Sequence, residues 1–491
     1  MRVSLDLMNR GFWGTLGALV VILSSGCYVL HHSSGGGQTS NHSRTVHPND
    51  IAVPPGYKIE VVTTNLTFPT GVAFDQEGRP CVVESGYAYG EVWTTPQLLR
   101  IERDGRQTVL AKGTRNGPWN GVSFHEGYFY VAEGGEWEGG RILKITSTGQ
   151  TSVLVDGLPS LGDHHTDGPV MGPDGWLYFG QGTASNSGVI GEDNADFGWL
   201  KRHPSFHDIP GEDIVLAGLN FETKDFIHGG KGKVLTGAFL PFGTPSQSNQ
   251  VIRGETKCGG SILRVRPSGG DVEMVAWGFR NPFGLAFSAD GKLFVTENAY
   301  DDRGSRPVWG AADVLWKVEP KLWYGWPDYC AGQPLADKMY KPPGQNRLRF
   351  VLAKHPNKPP SPVARFGVHA SADGLDFSRS SSFGHVGEAF VALFGDQAPT
   401  VGKVLAPVGF SVARVNIQNG AIEPFVVNKG KRNGPASRLR HGGLERPIAV
   451  RFNPAGDALY IVDFGVMNQE KKTSIPWKGT GVLWRVAKEK P

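Results

Sequence analysis

One phrase recurs six times along these 491 residues and constrains the fold more than anything else in the chain. An apolar strand reaches a small-residue or proline turn, G-x-x-F or a near relative follows, and a D-G-like turn leads into another apolar strand. The first three copies are Pro69-Thr70-Gly71-Val72-Ala73-Phe74, Asn120-Gly121-Val122-Ser123-Phe124 and Gly168-Pro169-Val170-Met171-Gly172-Pro173-Asp174-Gly175. The others are Asn281-Pro282-Phe283-Gly284-Leu285-Ala286-Phe287, Ala372-Asp373-Gly374-Leu375-Asp376-Phe377 and Arg446-Pro447-Ile448-Ala449-Val450-Arg451-Phe452. Where copies lie closest the period is roughly 50 residues, which belongs to propellers rather than to solenoids of short helices. The chain is therefore predicted to be all-β, a six-bladed β-propeller over residues 51–491, with a long inserted loop region of about 184–257 between the third and fourth repeats. A propeller gathers the same loop of every blade around one mouth, so residues distant in sequence meet in one site.

The composition agrees. Sixty-eight glycines and 34 prolines suit a turn-dense β protein, and a charged fraction of 20% argues against disorder. A net charge of +4 with no Lys/Arg block gives no footing for nucleic acid. Residues 1–27 read as an export signal: Arg2 and Arg10 precede the apolar run from Gly11 to Leu23, which ends in Ser24-Ser25-Gly26-Cys27. That ending resembles a bacterial lipobox with Cys27 as the lipidated residue, although Ser24 stands where leucine is usual. An uncleaved anchor is the other reading, because the apolar character continues through Tyr28-Val29-Leu30. Either way the rest of the chain is exported, to the periplasm, the cell envelope or the medium, and any membrane contact is through this N-terminus. Residues 28–50 are polar and rich in Gly and Ser, and are predicted to be a flexible tether. Cys81, Cys258 and Cys330 allow at most one internal disulfide, and no C-x-x-C exists to hold zinc or haem.

Two further patterns bear on the architecture. The strand Val482-Leu483-Trp484-Arg485-Val486 closely matches Val314-Leu315-Trp316-Lys317-Val318 but has no blade of its own. It is predicted to pair into the first blade, opened by Tyr57-Lys58-Ile59-Glu60-Val61-Val62, and so to close the ring and remove an open edge. The insert at about 184–257 and a second irregular stretch at 324–360 have the length of functional loops.

Glu84, Glu133, Gln181, Glu297 and Asp463 end strands before loops, a place where such side chains commonly satisfy loop amides. The connections into the repeats carry stronger chemistry: Asp163-His164-His165 before the third, Arg280-Asn281 before the fourth, and Glu445-Arg446 before the sixth. An imidazole there can act as a base near neutral pH. A guanidinium can hold a carboxylate or stabilise developing negative charge.

These motifs resemble the glucose/sorbosone dehydrogenase family, soluble six-bladed propellers that use pyrroloquinoline quinone and calcium. The resemblance rests on Asp163-His164 with Gly172-Pro173-Asp174, on Arg280-Asn281-Pro282-Phe283-Gly284-Leu285-Ala286-Phe287, on Glu297-Asn298 and on Tyr324-Gly325-Trp326-Pro327, and spans about residues 55–487. It implies a sugar dehydrogenase that passes hydride to the quinone and electrons to an external acceptor. His164 would take the proton from the sugar hydroxyl, with Asp163 orienting it. Arg280 and Asn281 would contact the quinone oxygens, Gln181, Asn116 and Asn298 would line the pocket, and Arg446 would bind a cofactor carboxylate. Main-chain carbonyls of Ala299 and Tyr300 would hold calcium, an arrangement suited to a hard cation.

The chain departs from the family's pattern in its cations. The region matching the cofactor-binding lysine reads Phe394-Gly395-Asp396-Gln397-Ala398, and Leu444 occupies the place of a second basic residue two before Arg446. Two other readings follow from these losses. One is a lipid-tethered, sugar-binding propeller without the cofactor. The other is a lactonase-type hydrolase whose central metal activates water, drawing on Glu84, Asn298 and Asp463.

Overall fold

The computed structural model describes residues 38–227, 232–398, 401–402, 404–470 and 474–489. The export signal and residues 28–37 of the tether lie outside the described residues. Among those described, six sheets of at least four antiparallel strands form the blades. The six repeats are their innermost strands: Pro69–Phe74, Trp119–His125, Thr166–Met171, Pro282–Phe287, Ala372–Phe377 and Pro447–Phe452. Each lies against the next and the last against the first, so the ring is closed.

The glycine of the repeat is where neighbouring blades come closest. A Cβ on Gly121 would sit 2.1 Å from the Gly168 carbonyl oxygen, and Gly121 has φ +109. A Cβ on Gly284 would sit 2.3 Å from the Asp373 carbonyl oxygen. Only a residue without a side chain lets main chain pack on main chain at these distances. The hydrophobic core is correspondingly divided into clusters shared between adjacent blades. Ala73, Val83 and Leu98 of blade 1 pack with Val122, Phe129 and Val131 of blade 2. Phe377 and Val391 of blade 5 pack with Phe294 and Leu315 of blade 4.

Ring closure uses the pairing expected from the sequence, in a different blade. Tyr57–Leu66 pairs with Gly481–Lys488, but both belong to the sixth blade, in the order Tyr57–Leu66, Gly481–Lys488, Ala458–Asp463, Pro447–Phe452. Blade 1 takes all four of its strands from residues 69–112, whereas the C-terminal segment supplies only three to blade 6 and leaves its outer edge to be covered. The match between 314–318 and 482–486 also has a physical basis. The Trp316 indole donates to Glu297 at 2.6 Å, and the equivalent Trp484 indole donates to Asp463 at 3.2 Å.

The described part of the tether is docked rather than loose. The buried Arg44 guanidinium pairs with Asp463 at 2.7 Å and donates to the Thr480 carbonyl at 2.9 Å. Ser40 bridges the segment to Trp477. The insert lies inside blade 3, between Leu177–Gln181 and Ser261–Val265. It carries two short helices, Glu192–Asp196 and Trp199–Arg202, and shares a three-stranded sheet with Leu352–Lys354 from the second irregular stretch. Cys81, Cys258 and Cys330 are all buried free thiols.

Candidate active site at the mouth of the ring

The repeat itself builds the floor of the site. In each inner strand the residue just before the close-contact position faces one cavity: Thr70, Asn120, Asp167, Phe283, Asp373 and Ile448. The floor is thus polar on the side of blades 1, 2, 3 and 5 and apolar at blades 4 and 6. Above it lies about 900 Å³ of empty space, part of it open solvent at the mouth. Phe197 and Trp199 of the insert form part of its wall, which gives the insert its place in the site.

His164 lies in this cavity and is buried. Its Nδ1 is 2.9 Å from the Thr183 carbonyl oxygen, which can only accept, so Nδ1 carries the proton and Nε2 keeps its lone pair. Burial holds its pKa well below the usual value, reinforced by the Arg280 and Arg303 guanidiniums. The ring is therefore neutral at neutral pH. The adjacent His165 turns its Nδ1 toward the Ser160 carbonyl at 3.3 Å.

Asp163 does not orient His164; the Thr183 carbonyl does. The Asp163 carboxylate is taken by the Trp199 indole at 2.6 Å, the Asn194 amide at 2.9 Å and Arg303 at 2.7 Å. Arg303 also pairs with Asp193 and, at 2.9 Å, with Asp301. Arg280 reaches Asp301 at 2.7 Å and Asn186 Oδ1 at 3.0 Å, and donates to the carbonyls of Asn186 and Asn298 at 3.2 and 3.3 Å. One N–H on its Nη1 is left for the cavity, given five donors in a guanidinium. Burial pushes the Asp301 pKa up, but Arg280 and Arg303 outweigh it and the net shift is down.

Asn281 and Asn298 form a chain across the floor. Asn298 donates its amide to the Ala372 carbonyl at 3.1 Å and to Asp373 at 3.0 Å, which turns its oxygen toward Asn281. Asn281 donates to that oxygen at 2.8 Å, so its own Oδ1 accepts from no protein group although it is buried. Asn281 thus presents a lone pair, and one N–H of its amide is not committed to Asn298. Asp167 Oδ2 is likewise buried without a donor. Burial, together with the facing Asp373 charge, raises the Asp167 pKa well above the carboxylate range.

Gln181 and Asn116 are spent on the scaffold, and Arg446 only in part, since its Nε and Nη2 are buried without a partner. Gln181 is bound by Ser160, Thr166 and the Pro159 and Gly182 carbonyls. Asn116 clamps the turn of blade 2 through Gly139, Trp137 and Glu138. Arg446 is stacked between Phe394 and Phe410 at 4.9 and 5.1 Å and donates to the carbonyls of Gly395 and Asp396, each at 3.1 Å. It lies outside the cavity lining and secures the turn that carries Gln397 into it. The hydrolase set also disperses: Glu84 accepts from the Thr67 amide, and Asp463 from the amides of Glu445 and Arg446. Ala299 lines the cavity, its N–H held by Asp313 at 2.8 Å. Tyr300 follows it with its hydroxyl on the Tyr329 carbonyl at 2.8 Å, and among the described residues no hydrogen bond ends on either carbonyl.

Sequence reasoning missed Arg303, Asp301, Asp167 and Asp373. The first two stand in a loop outside any repeat, in Asp301-Asp302-Arg303, where only the density of charge could have marked them. The other two were legible in principle, as the position before glycine in the third and fifth repeats. Among the described residues the cavity's arginines are Arg280 and Arg303 and no lysine lines it, whereas Glu136, Asp163, Asp167, Asp301, Asp313 and Asp373 do.

No model of a known protein family matches the chain, and no curated protein matches it. Among solved structures it is similar to the holo form of the PQQ domain of pyranose dehydrogenase from Coprinopsis cinerea. The two share 13% identity over 93% of this chain and 100% of that one, with a TM-score of 0.55. It is also similar to an enzyme of carbohydrate-active family AA12 from Trichoderma reesei, at 14% identity over 92% and 100% of the two chains, with a TM-score of 0.54. The apo form of the soluble aldose sugar dehydrogenase from Escherichia coli matches at 13% identity over 88% and 100%, with a TM-score of 0.51. These likenesses establish the propeller fold.

Proposed function

We propose that the protein is an exported oxidoreductase that oxidises an aldose- or sorbosone-like sugar, with pyrroloquinoline quinone and calcium as cofactors and an external acceptor for the electrons. The observation that carries this reading is His164: a neutral, buried imidazole at the mouth of the ring, its Nδ1 proton committed to a carbonyl and its Nε2 lone pair free. That is the group needed to take a proton from a hydroxyl as the carbon loses hydride. The fold shared with sugar dehydrogenases supports the substrate class. The N-terminal sequence supports export, and no helix among the described residues is long and apolar enough to cross a membrane.

Arg280 would meet the quinone at its reacting edge, and the Ala299 and Tyr300 carbonyls, on which no hydrogen bond ends among the described residues, would hold calcium. Arg280 keeps one N–H for a developing anionic oxygen, and Arg303 adds charge beside it. When bound, the quinone supplies the hydride acceptor. The chain's own residues do the rest. His164 Nε2 receives the hydroxyl proton and Thr183 fixes the ring's plane. Asn281 is held beside the reacting edge by its bond to Asn298 at 2.8 Å. Phe197 and Trp199 of the insert give the site an apolar wall on one side. Holding three carboxylates with two largely neutralised arginines costs affinity, so quinone binding is expected to be weak and dependent on calcium.

The test is to add quinone and calcium to the full chain and follow dye reduction over a panel of sugars. Quinone-dependent reduction with an aldose supports the reading. No quinone binding up to about 1 mM cofactor would overturn it and leave the sugar-binding propeller.

A further inference from the structure

The floor of the ring points to a second ligand. We infer that Asp167, Asp373 and Asn281 form a seat for a hard divalent cation of calcium's kind at the throat of the propeller. Asp167 is 1% exposed and Asp373 4% exposed, and neither forms a salt bridge among the described residues. Asp373 Oδ1 accepts from Asn298 at 3.0 Å and from Ser371 at 3.1 Å, while its Oδ2 takes no hydrogen bond. Asp167 Oδ2 and Asn281 Oδ1 are both buried and both without a donor. Three oxygens from blades 3, 4 and 5 thus line one cavity with lone pairs that no protein group uses. Thr70 and Asn120 complete the polar half of the same floor.

Chance does not leave such a set. Each buried acceptor without a donor is costly, and Asp167 Oδ2 and Asn281 Oδ1 are two of them on one cavity. A divalent cation removes both penalties at once. Carboxylate and amide oxygens in an irregular arrangement suit calcium, which takes six to eight oxygens, better than magnesium with its strict octahedron. The amide chain from Asn281 through Asn298 to Asp373 holds the donors in place: it fixes which atom of Asn281 faces the cavity. The seat uses side chains of the floor and is separate from the Ala299 and Tyr300 carbonyls, so it does not depend on the quinone reading.

The test uses calcium alone on the full chain, stripped with chelator and free of quinone. In the wild type, calcium at a hundredfold excess over its dissociation constant is expected to raise the melting temperature by about 2–3 °C. The double variant Asp167→Asn, Asp373→Asn should melt no lower than the metal-free wild type, because it removes facing carboxylates, and should show no calcium shift. A wild type indifferent to calcium, or a double variant that keeps the shift, would overturn the proposal. Should the double variant fail to fold, wild-type crystals soaked in manganese decide: an anomalous peak between Asp167 and Asp373 supports the seat. An empty floor, or an ion only at the Ala299 and Tyr300 carbonyls, refutes it.

Discussion

Replacing Gly121 by alanine tests whether the repeat exists to let main chains meet. Gly121 has φ +109, and its added Cβ would lie 2.1 Å from the Gly168 carbonyl oxygen, where ordinary contact begins at 3.4 Å. The overlap is with backbone, so no side chain can swing away, and the closed ring limits how far blade 2 can move from blade 3. Gly127, in the same blade, has φ +82 and nothing within 4 Å of an added Cβ. Gly127→Ala therefore carries only the left-handed backbone term, about 1–2 kcal/mol, reduced by about 0.4–1 kcal/mol from the stiffer unfolded chain. Gly121→Ala carries that term plus overpacking against backbone, and is expected to lose about 3–5 kcal/mol. At roughly 2 cal/mol/K per residue, a chain of 491 residues changes its melting temperature by about 1 °C per kcal/mol. Calorimetry and urea titration of the two variants side by side should show Gly121→Ala falling about 3–5 °C and Gly127→Ala about 1 °C or less. Equal losses would mean that the close approach is not what the repeat's glycine serves.

His164→Ala should reduce quinone-dependent turnover by about 10²–10⁴-fold while leaving quinone binding intact, and unchanged turnover would remove it as the base. The pH profile carries its own sign: a base must be neutral to accept a proton, and burial lowers the His164 pKa, so the acid limb of kcat/KM should fall well below pH 6.5. A limb centred at or above the usual histidine value would contradict the buried geometry. Arg446→Met should loosen the turn at 394–396, seen as faster amide exchange at Gly395 and Gln397, with quinone affinity changed by less than about threefold. A loss of affinity of about tenfold with unchanged exchange would show that the guanidinium reaches the cofactor.

The ring was legible because its cause is local. Gly71, Gly121, Gly284 and Gly374 are placed by contacts that no other residue tolerates, and the phrase repeats wherever the contact repeats. His164 was legible for a similar reason, since the connection before an inner strand must enter the mouth. Gln181 and Asn116 misled because a polar residue at a strand end can face the cavity or fold back onto loop amides, and the sequence does not distinguish these. Arg446 shares the ambiguity: two phenylalanines and two carbonyls hold it through Nη1, while its Nε and Nη2 are buried without a partner. The blade that closes the ring was misassigned because strand complementarity identifies a partner, whereas the blade it joins depends on which sheet is a strand short.

The charge of the cavity decides how its ligands depend on one another. Arg303 is shared among Asp163, Asp193 and Asp301, and Arg280 is paired with Asp301, so neither arginine brings a whole positive charge to the mouth. Asp167 and Asp373 lie below with no cation of their own. A quinone bearing three carboxylates entering such a space would find no positive charge on the floor, where burial pushes the Asp167 and Asp373 pKa values well above the carboxylate range, and a cation in the throat would supply it. By linkage, whatever calcium adds to quinone binding, the quinone must return to calcium binding in equal measure. The family's lysine and second basic residue would then be replaced by a bound ion, which supplies two positive charges where Leu444 and the 394–398 turn supply none.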